Sequence, residues 1–199
     1  MSSKRNNSTL DDHFYMEQAL GLAEKNYGLT GENPSVGCIL VKNNQIISSG
    51  VTGINGRPHA EFNAIKDSFI NVNGSTMYVT LEPCNHYGKT PPCTNLIRNK
   101  KIKKVVYGIN DIDSRTSKSA KKFFEKKKIE VSEGVLNKKL NKFYRSYIYI
   151  KKNKLPYVIG KIASSKDNFI KSKIKKMLTN KFSQSISHLL RYRSHAILI

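Results

Sequence analysis

Acidic residues are scarce in this chain: 14 Asp and Glu face 35 Lys and Arg, for a formal net charge of +21. Cysteine is scarcer still, at three, and tryptophan is absent. The thiols Cys38, Cys84 and Cys93 form an odd and sparse set, which excludes a disulfide scaffold and points to a reducing compartment. No apolar run approaches the roughly 18–20 residues that a membrane span needs. Met1 to Asn7 are polar with no apolar stretch behind them, so no export signal is expected and the chain reads as soluble and cytoplasmic. Arginine is rare as well, 7 against 28 lysines.

The charge is unevenly placed. Residues 1–99 hold 8 basic and 8 acidic side chains, whereas residues 100–199 hold 27 and 6. A neutral half joined to a basic half reads first as a catalytic or structural domain followed by a nucleic-acid-binding one. The excess is nearly all lysine, however, in a chain that also holds 19 Asn and 20 Ile, residues that share A/T-rich codons. Arginine, which reads bases and phosphates bidentately, is what is missing. Nucleotide bias on solvated faces accounts for the excess better than a nucleic-acid footprint does.

Periodicity predicts an α/β domain. Thr9 and Asp12 suggest a capping box, followed by helical spacing of Phe14, Leu20, Ala23 and Tyr27 up to Gly28. Strands are expected at 36–41 and 46–51 around Lys42-Asn43-Asn44-Gln45, a hairpin by composition. A helix over 59–70, a strand over 77–81 and a helix opened by Pro91 and Pro92 through about Asn99 follow. Strands at 105–109 and 129–131 then alternate with helices at 117–127 and 136–149. The order argues for three layers, with helices on both faces of one sheet. Domain bounds are expected at 9–150, with 151–156, closed by Pro156, as a linker and 157–199 as a second segment. That segment should hold a strand at 157–162, a helix at 183–192 and a strand at 196–199.

One constellation carries chemistry: His59-Ala60-Glu61, then Pro83-Cys84 and Cys93. Two thiolates and an imidazole are the ligand set of a catalytic zinc that keeps one coordination position open. Zinc lowers the pKa of its water towards about 7, and a neighbouring group must then carry the proton to the leaving group. Glu61, two residues after His59 at a helix start, suits that task. His-x-Glu followed by Pro-Cys and a further Cys is the signature of zinc nucleobase deaminases. Cys93, in the first turn of a helix, meets a dipole that favours thiolate. Cys38, inside an apolar strand, reads as a small buried hydrophobe. Eight residues, not two, separate Cys84 from Cys93, and they bring His86 and Lys89 beside the metal. A flat base needs no extra cation, whereas a phosphorylated substrate does.

The stretches Asn33-Pro34-Ser35-Val36-Gly37, His59-Ala60-Glu61-Phe62-Asn63-Ala64-Ile65 and Tyr78 through Cys93 resemble the bifunctional riboflavin-biosynthesis deaminase/reductase family. The resemblance implies a cytidine-deaminase-like α/β/α domain followed by an incomplete, dihydrofolate-reductase-like α/β segment. It implies hydrolytic removal of the 2-amino group of 2,5-diamino-6-(5-phosphoribosylamino)pyrimidin-4(3H)-one. One zinc per chain would sit on His59, Cys84 and Cys93, with Glu61 shuttling the proton and Asn33, His86 and Lys89 contacting base, ribose and phosphate. No nucleic acid or membrane partner is implied, and a homo-oligomer is allowed.

Leu155-Pro156-Tyr157-Val158, Ala163-Ser164-Ser165-Lys166-Asp167 and the 189–198 stretch resemble the start of the family's reductase domain. There the position of Ser164 touches NADP and that of Arg191 touches substrate. Asn168 replaces a loop glycine, Met177 stands where a tryptophan is usual, and the chain stops before the Gly-rich turn. NADP use is therefore expected only of a complete reductase domain, not of this chain alone. Thr52 takes a place the family often gives to histidine, and Asp111-Ile112-Asp113-Ser114 lacks its Asp-x-Asn-Pro. Two other readings stay open: a tRNA or nucleic-acid base deaminase using the basic half, and a zinc-stabilised RNA-binding module.

Overall fold

The computed structural model of the chain describes residues 3–170 and 179–198, with side chains from residue 11 onward; Met177 and Ile199 lie outside them. It divides into two compact units, Met1–Leu155 and Pro156–Ile199. In the first, β1 (Gly37–Lys42) and β2 (Gln45–Val51) form a hairpin whose turn residues Asn43 and Asn44 sit at φ of 51° and 60°. Asparagine tolerates this left-handed conformation, which the two-residue turn of a twisted hairpin requires. β3 (Thr76–Leu81) pairs antiparallel with β1, and β4 (Lys104–Ile109) and β5 (Glu130–Glu133) then add in parallel. The five-stranded order is β2-β1-β3-β4-β5.

Helices cover both faces. α1 (Ser3–Lys25) buries Met16, Ala19, Leu20 and Ala23 against β1 and β3. On the other face lie α2 (Ala60–Lys66), α3 (Cys93–Asn99) and α4 (Ser119–Lys126). α5 (Asn137–Phe143) and α6 (Arg145–Asn153) return to the side of α1, where Tyr27 stacks on Phe143 at 5.1 Å. Two glycines set how closely the layers approach. A Cβ at Gly37 would meet the Ala19 carbonyl oxygen at 1.8 Å, and one at Gly50 would meet Ala60 O and Ala64 N at 2.3 Å. Backbone cannot yield as a side chain can. Gly50→Ala should therefore cost about 3 kcal/mol of stability in a denaturant titration, the upper end of overpacking penalties.

The structure corrects several boundaries. α1 begins at Ser3, ahead of the capping box expected at Thr9, because no Pro or Gly interrupts the preceding polar stretch. Its buried stripe has a different phase: Phe14 is 55% exposed, while Met16 and Ala19 are buried. α2 stops at Lys66 rather than 70, because the Ser68 hydroxyl bonds the Ile70 backbone and competes with the helix. The helix expected over 136–149 is broken at Tyr144, and α6 runs on through Lys151–Asn153, which were read as linker. At the break, the buried Tyr144 hydroxyl donates to Ser35 O and meets Thr80 Oγ1, which accepts from Gly37 N. That chain ties the helical layer to β3 and to the loop leading into β1.

In the second unit the described helix is α7 (Lys181–Tyr192), capped by Asn180, whose side chain accepts from Ser183 N. The strands expected at 157–162 and 196–199 form no ladder among the described residues. A strand needs a neighbour for its N–H and C=O groups, and none is found there among the described residues. Asn168 stands at φ 65° in a turn closed by Ser165 and Phe169, which explains how asparagine serves where a glycine was expected.

Candidate active site

Three loops meet at one end of the sheet. His59 is the N-cap of α2, Cys84 follows β3, and Cys93 is the first residue of α3, after Pro92. Their ligating atoms lie within 4.8 Å of one another. His59 Nδ1 stands 3.6 Å from Cys84 Sγ and 3.4 Å from Cys93 Sγ. Tetrahedral zinc, with bonds of about 2.05 Å to nitrogen and about 2.3 Å to sulfur, would separate N from S by about 3.5 Å. The trio therefore fits zinc, and it does so through Nδ1 of the imidazole. Cys93 N donates to Cys84 Sγ at 3.3 Å. Hydrogen bonds from Cys93 and from His59 hold the Cys84 thiol well below the ordinary range, whereas the same bond and burial push the Cys93 thiol up, against the thiolate expected at its helix start.

Glu61 sits in the first turn of α2, 4% exposed, with its carboxyl pushed up by burial and facing the Cys93 thiol. Cys38 is fully buried behind it on β1, and burial raises its thiol well above the ordinary range. It packs; it is no ligand.

A cavity of about 370 Å³ opens at His59, Glu61 and Cys84, and Asn33, His86 and Lys89 all line it. Asn33 Nδ2 donates to Gly56 O at 3.3 Å. His86 Nδ1 is held by Thr116 Oγ1 at 2.9 Å. Thr52 also lines the wall, its hydroxyl accepting from Val36 N. Ser164 and Arg191 belong to the second unit, both exposed, Ser164 ahead of the Asn168 turn and Arg191 in the last turn of α7.

Sequence reading missed several lining residues. Arg57, Asp111, Arg115, Tyr147 and Lys151 also face the cavity. Asp111 and Asp113 build their loop by accepting from the backbone two residues on, at Asp113 N and Arg115 N. Arg115 pairs bidentately with Asp113 and draws its carboxyl far below the usual range. Tyr147 donates to Asp111 Oδ1 at 2.9 Å. Asp111 had a signal in the chain, at the stretch that departs from the family's Asp-x-Asn-Pro, while Arg57 stood out only as a rare basic residue two places before His59, which says nothing of the cavity.

Glu82 is buried and accepts from Asp111 N, Lys118 N and Ala120 N. It thereby caps α4, whose own N-cap, Lys118, offers no acceptor. Burial pushes its carboxyl up, and the three donors pull the other way. Glu82→Ala would strand three N–H groups and should cost about 3 kcal/mol in a thermal or urea melt, loosening the 111–118 loop at the cavity.

Residues 9–109 match the family of the cytidine and deoxycytidylate deaminase zinc-binding region. The diaminohydroxyphosphoribosylamino-pyrimidine deaminase of Buchnera aphidicola from Schizaphis graminum is 37% identical over 147 residues, 74% of this chain and 100% of that protein. The riboflavin biosynthesis protein RibD of Aquifex aeolicus is 35% identical over 190 residues, 94% of this chain and 53% of that protein. The crystal structure of the bifunctional diaminohydroxyphosphoribosylaminopyrimidine deaminase/5-amino-6-(5-phosphoribosylamino)uracil reductase of Thermotoga maritima superposes with a TM-score of 0.84. It is 36% identical and covers 92% of this chain and 53% of that one. The chain thus spans about half the length of its bifunctional relatives. With a cytidine-deaminase-like fold, a His/Cys/Cys trio spaced for zinc and these relatives in common, the chain belongs to the zinc-binding cytidine and deoxycytidylate deaminase family.

Proposed function

We propose that this chain deaminates 2,5-diamino-6-(5-phosphoribosylamino)pyrimidin-4(3H)-one by hydrolysis, giving 5-amino-6-(5-phosphoribosylamino)uracil and ammonia, and that it acts in the cytoplasm. One observation carries the reading. A single cavity is lined by His59 and Cys84 of the trio, by the buried Glu61, and by His86, Gly88 and Lys89 of the 85–92 insert. Zinc on His59, Cys84 and Cys93 supplies an acidified water near neutral pH. Glu61 takes the proton that leaves the attacking water and delivers it to the departing amine. The ring carbon gains the oxygen, its C–N bond breaks, and nitrogen leaves as ammonia. Asn33 Oδ1 orients the base, His86 Nε2 meets the ribose, and Lys89 meets the phosphate.

The second unit is read as the opening segment of a reductase domain, with Ser164 at its NADP position and Arg191 at its substrate position. Support comes from relatives that match 94–95% of this chain yet extend to twice its length. An ammonia-release assay, with zinc measured on the same sample, tests the function. Release from the diaminopyrimidine and not from cytidine or tRNA adenosine supports it. The reverse pattern overturns it and returns meaning to the basic half.

A further inference from the structure

Four cations stand round the cavity: Arg57, Lys89, Arg115 and Lys151. Arg115 is already paired with Asp113. Arg57 has no carboxylate within ion-pair distance among the described residues, although it is half-buried. Its Nη1 donates to Thr90 Oγ1, and its Nη2 lies 3.8 Å from where a Cβ on Gly88 would stand. The guanidinium is thus laid along the insert from Gly88 to Thr90, on both sides of the residue that carries the Lys89 ammonium. Two cations on one wall repel unless an anion joins them. A guanidinium with one donor spent on Thr90 keeps most of its rigid fork, the shape that grips phosphate in bidentate fashion.

We infer that Arg57, together with Lys89, holds the phosphomonoester of the substrate and sets the preference for its phosphorylated form. This rests on the deaminase reading above. Lys89 supplies a mobile point charge; Arg57 supplies a fixed fork, oriented by Thr90 and joined through Pro58 to His59. The phosphate is thereby placed at a set distance from the reacting carbon.

The test compares the zinc-loaded full chain with its R57A, R57K and T90V variants. It measures kcat and KM for the phosphorylated diaminopyrimidine and for its dephosphorylated ribosylamino counterpart. Binding of ribose 5-phosphate, followed by calorimetry, runs beside it. R57A should cut the preference for the phosphorylated substrate by about tenfold to hundredfold, through KM, the size of one charge-assisted hydrogen bond. Ribose 5-phosphate should weaken in parallel, and R57K should recover only part of either loss. T90V, which only frees the fork, should lose less of the phosphate preference than R57A. Equal damage to both substrates in R57A would reduce Arg57 to a loop clasp and overturn the inference. So would a wild-type chain that does not bind ribose 5-phosphate. If neither diaminopyrimidine is turned over while ribose 5-phosphate binding still depends on Arg57, the deaminase reading falls and the phosphate site stands.

Discussion

Glu61→Gln should lower kcat by about 10²–10⁴-fold, the range of general acid–base catalysis, and leave zinc content unchanged. The substitution keeps the shape of a side chain that is 4% exposed in the first turn of α2. It removes a buried carboxylate that can accept a proton beside the trio. Because burial already penalises the carboxylate, the neutral amide should leave the melting temperature level or slightly higher. That combination separates a proton carrier from a structural acid. Ammonia release and zinc content on the same preparation decide it: turnover within threefold of the parent removes the role from Glu61, and a parallel loss of zinc makes it a structural residue.

Cys93→Ala should abolish activity together with the metal. His59 Nδ1 lies 3.4 Å from Cys93 Sγ and 3.6 Å from Cys84 Sγ, so the three atoms can form one face of a tetrahedron. Removing one leaves two protein ligands, fewer than the three of an open catalytic site. Zinc should fall to about a tenth of an equivalent or below after dialysis. Loss of a partner one shell further out already costs about 10–100-fold in affinity in zinc enzymes. Cys38→Ala supplies the contrast, because that thiol is fully buried on β1 and touches no ligand position. It should keep one zinc per chain. Chelation of the parent chain should reproduce the Cys93→Ala loss, and added zinc should reverse it. Zinc retained in Cys93→Ala would place the metal elsewhere.

What the sequence reveals here depends on how local each cause is. His59, Glu61 and Cys93 are legible because each stands at a helix start, and short-range spacing finds helix starts. The hairpin is legible because Asn43 and Asn44 carry their turn preference with them. Arg57, Tyr147 and Lys151 are not, since facing one cavity depends on which of three distant elements the fold brings together. The choice of Nδ1 over Nε2 on His59 is likewise set by the ring's tertiary neighbours. The cap of α4 defeats local reading altogether: its acceptor is Glu82, 36 residues before Lys118 in the chain. In the second unit, the apolar stretches at 157–162 and 196–199 suggested strands, but a local apolar stretch cannot supply the partner that makes a ladder. The cysteines are separable locally: Cys38 lies inside an apolar strand and is buried filler, whereas Cys84 follows Pro83 in the metal signature and carries a depressed thiol.

The broken helix at Tyr144 carries a consequence for how such a gene can be divided. α6 delivers Tyr147 to Asp111 and Lys151 to the cavity rim, and it ends two residues short of the Leu155–Pro156 boundary. Division of the chain between two polypeptides therefore keeps the cavity wall on one of them only when the cut falls beyond α6. A fission point placed at the composition change near residue 99, or even at Tyr144, would leave a zinc centre whose substrate-side wall is encoded by the other gene.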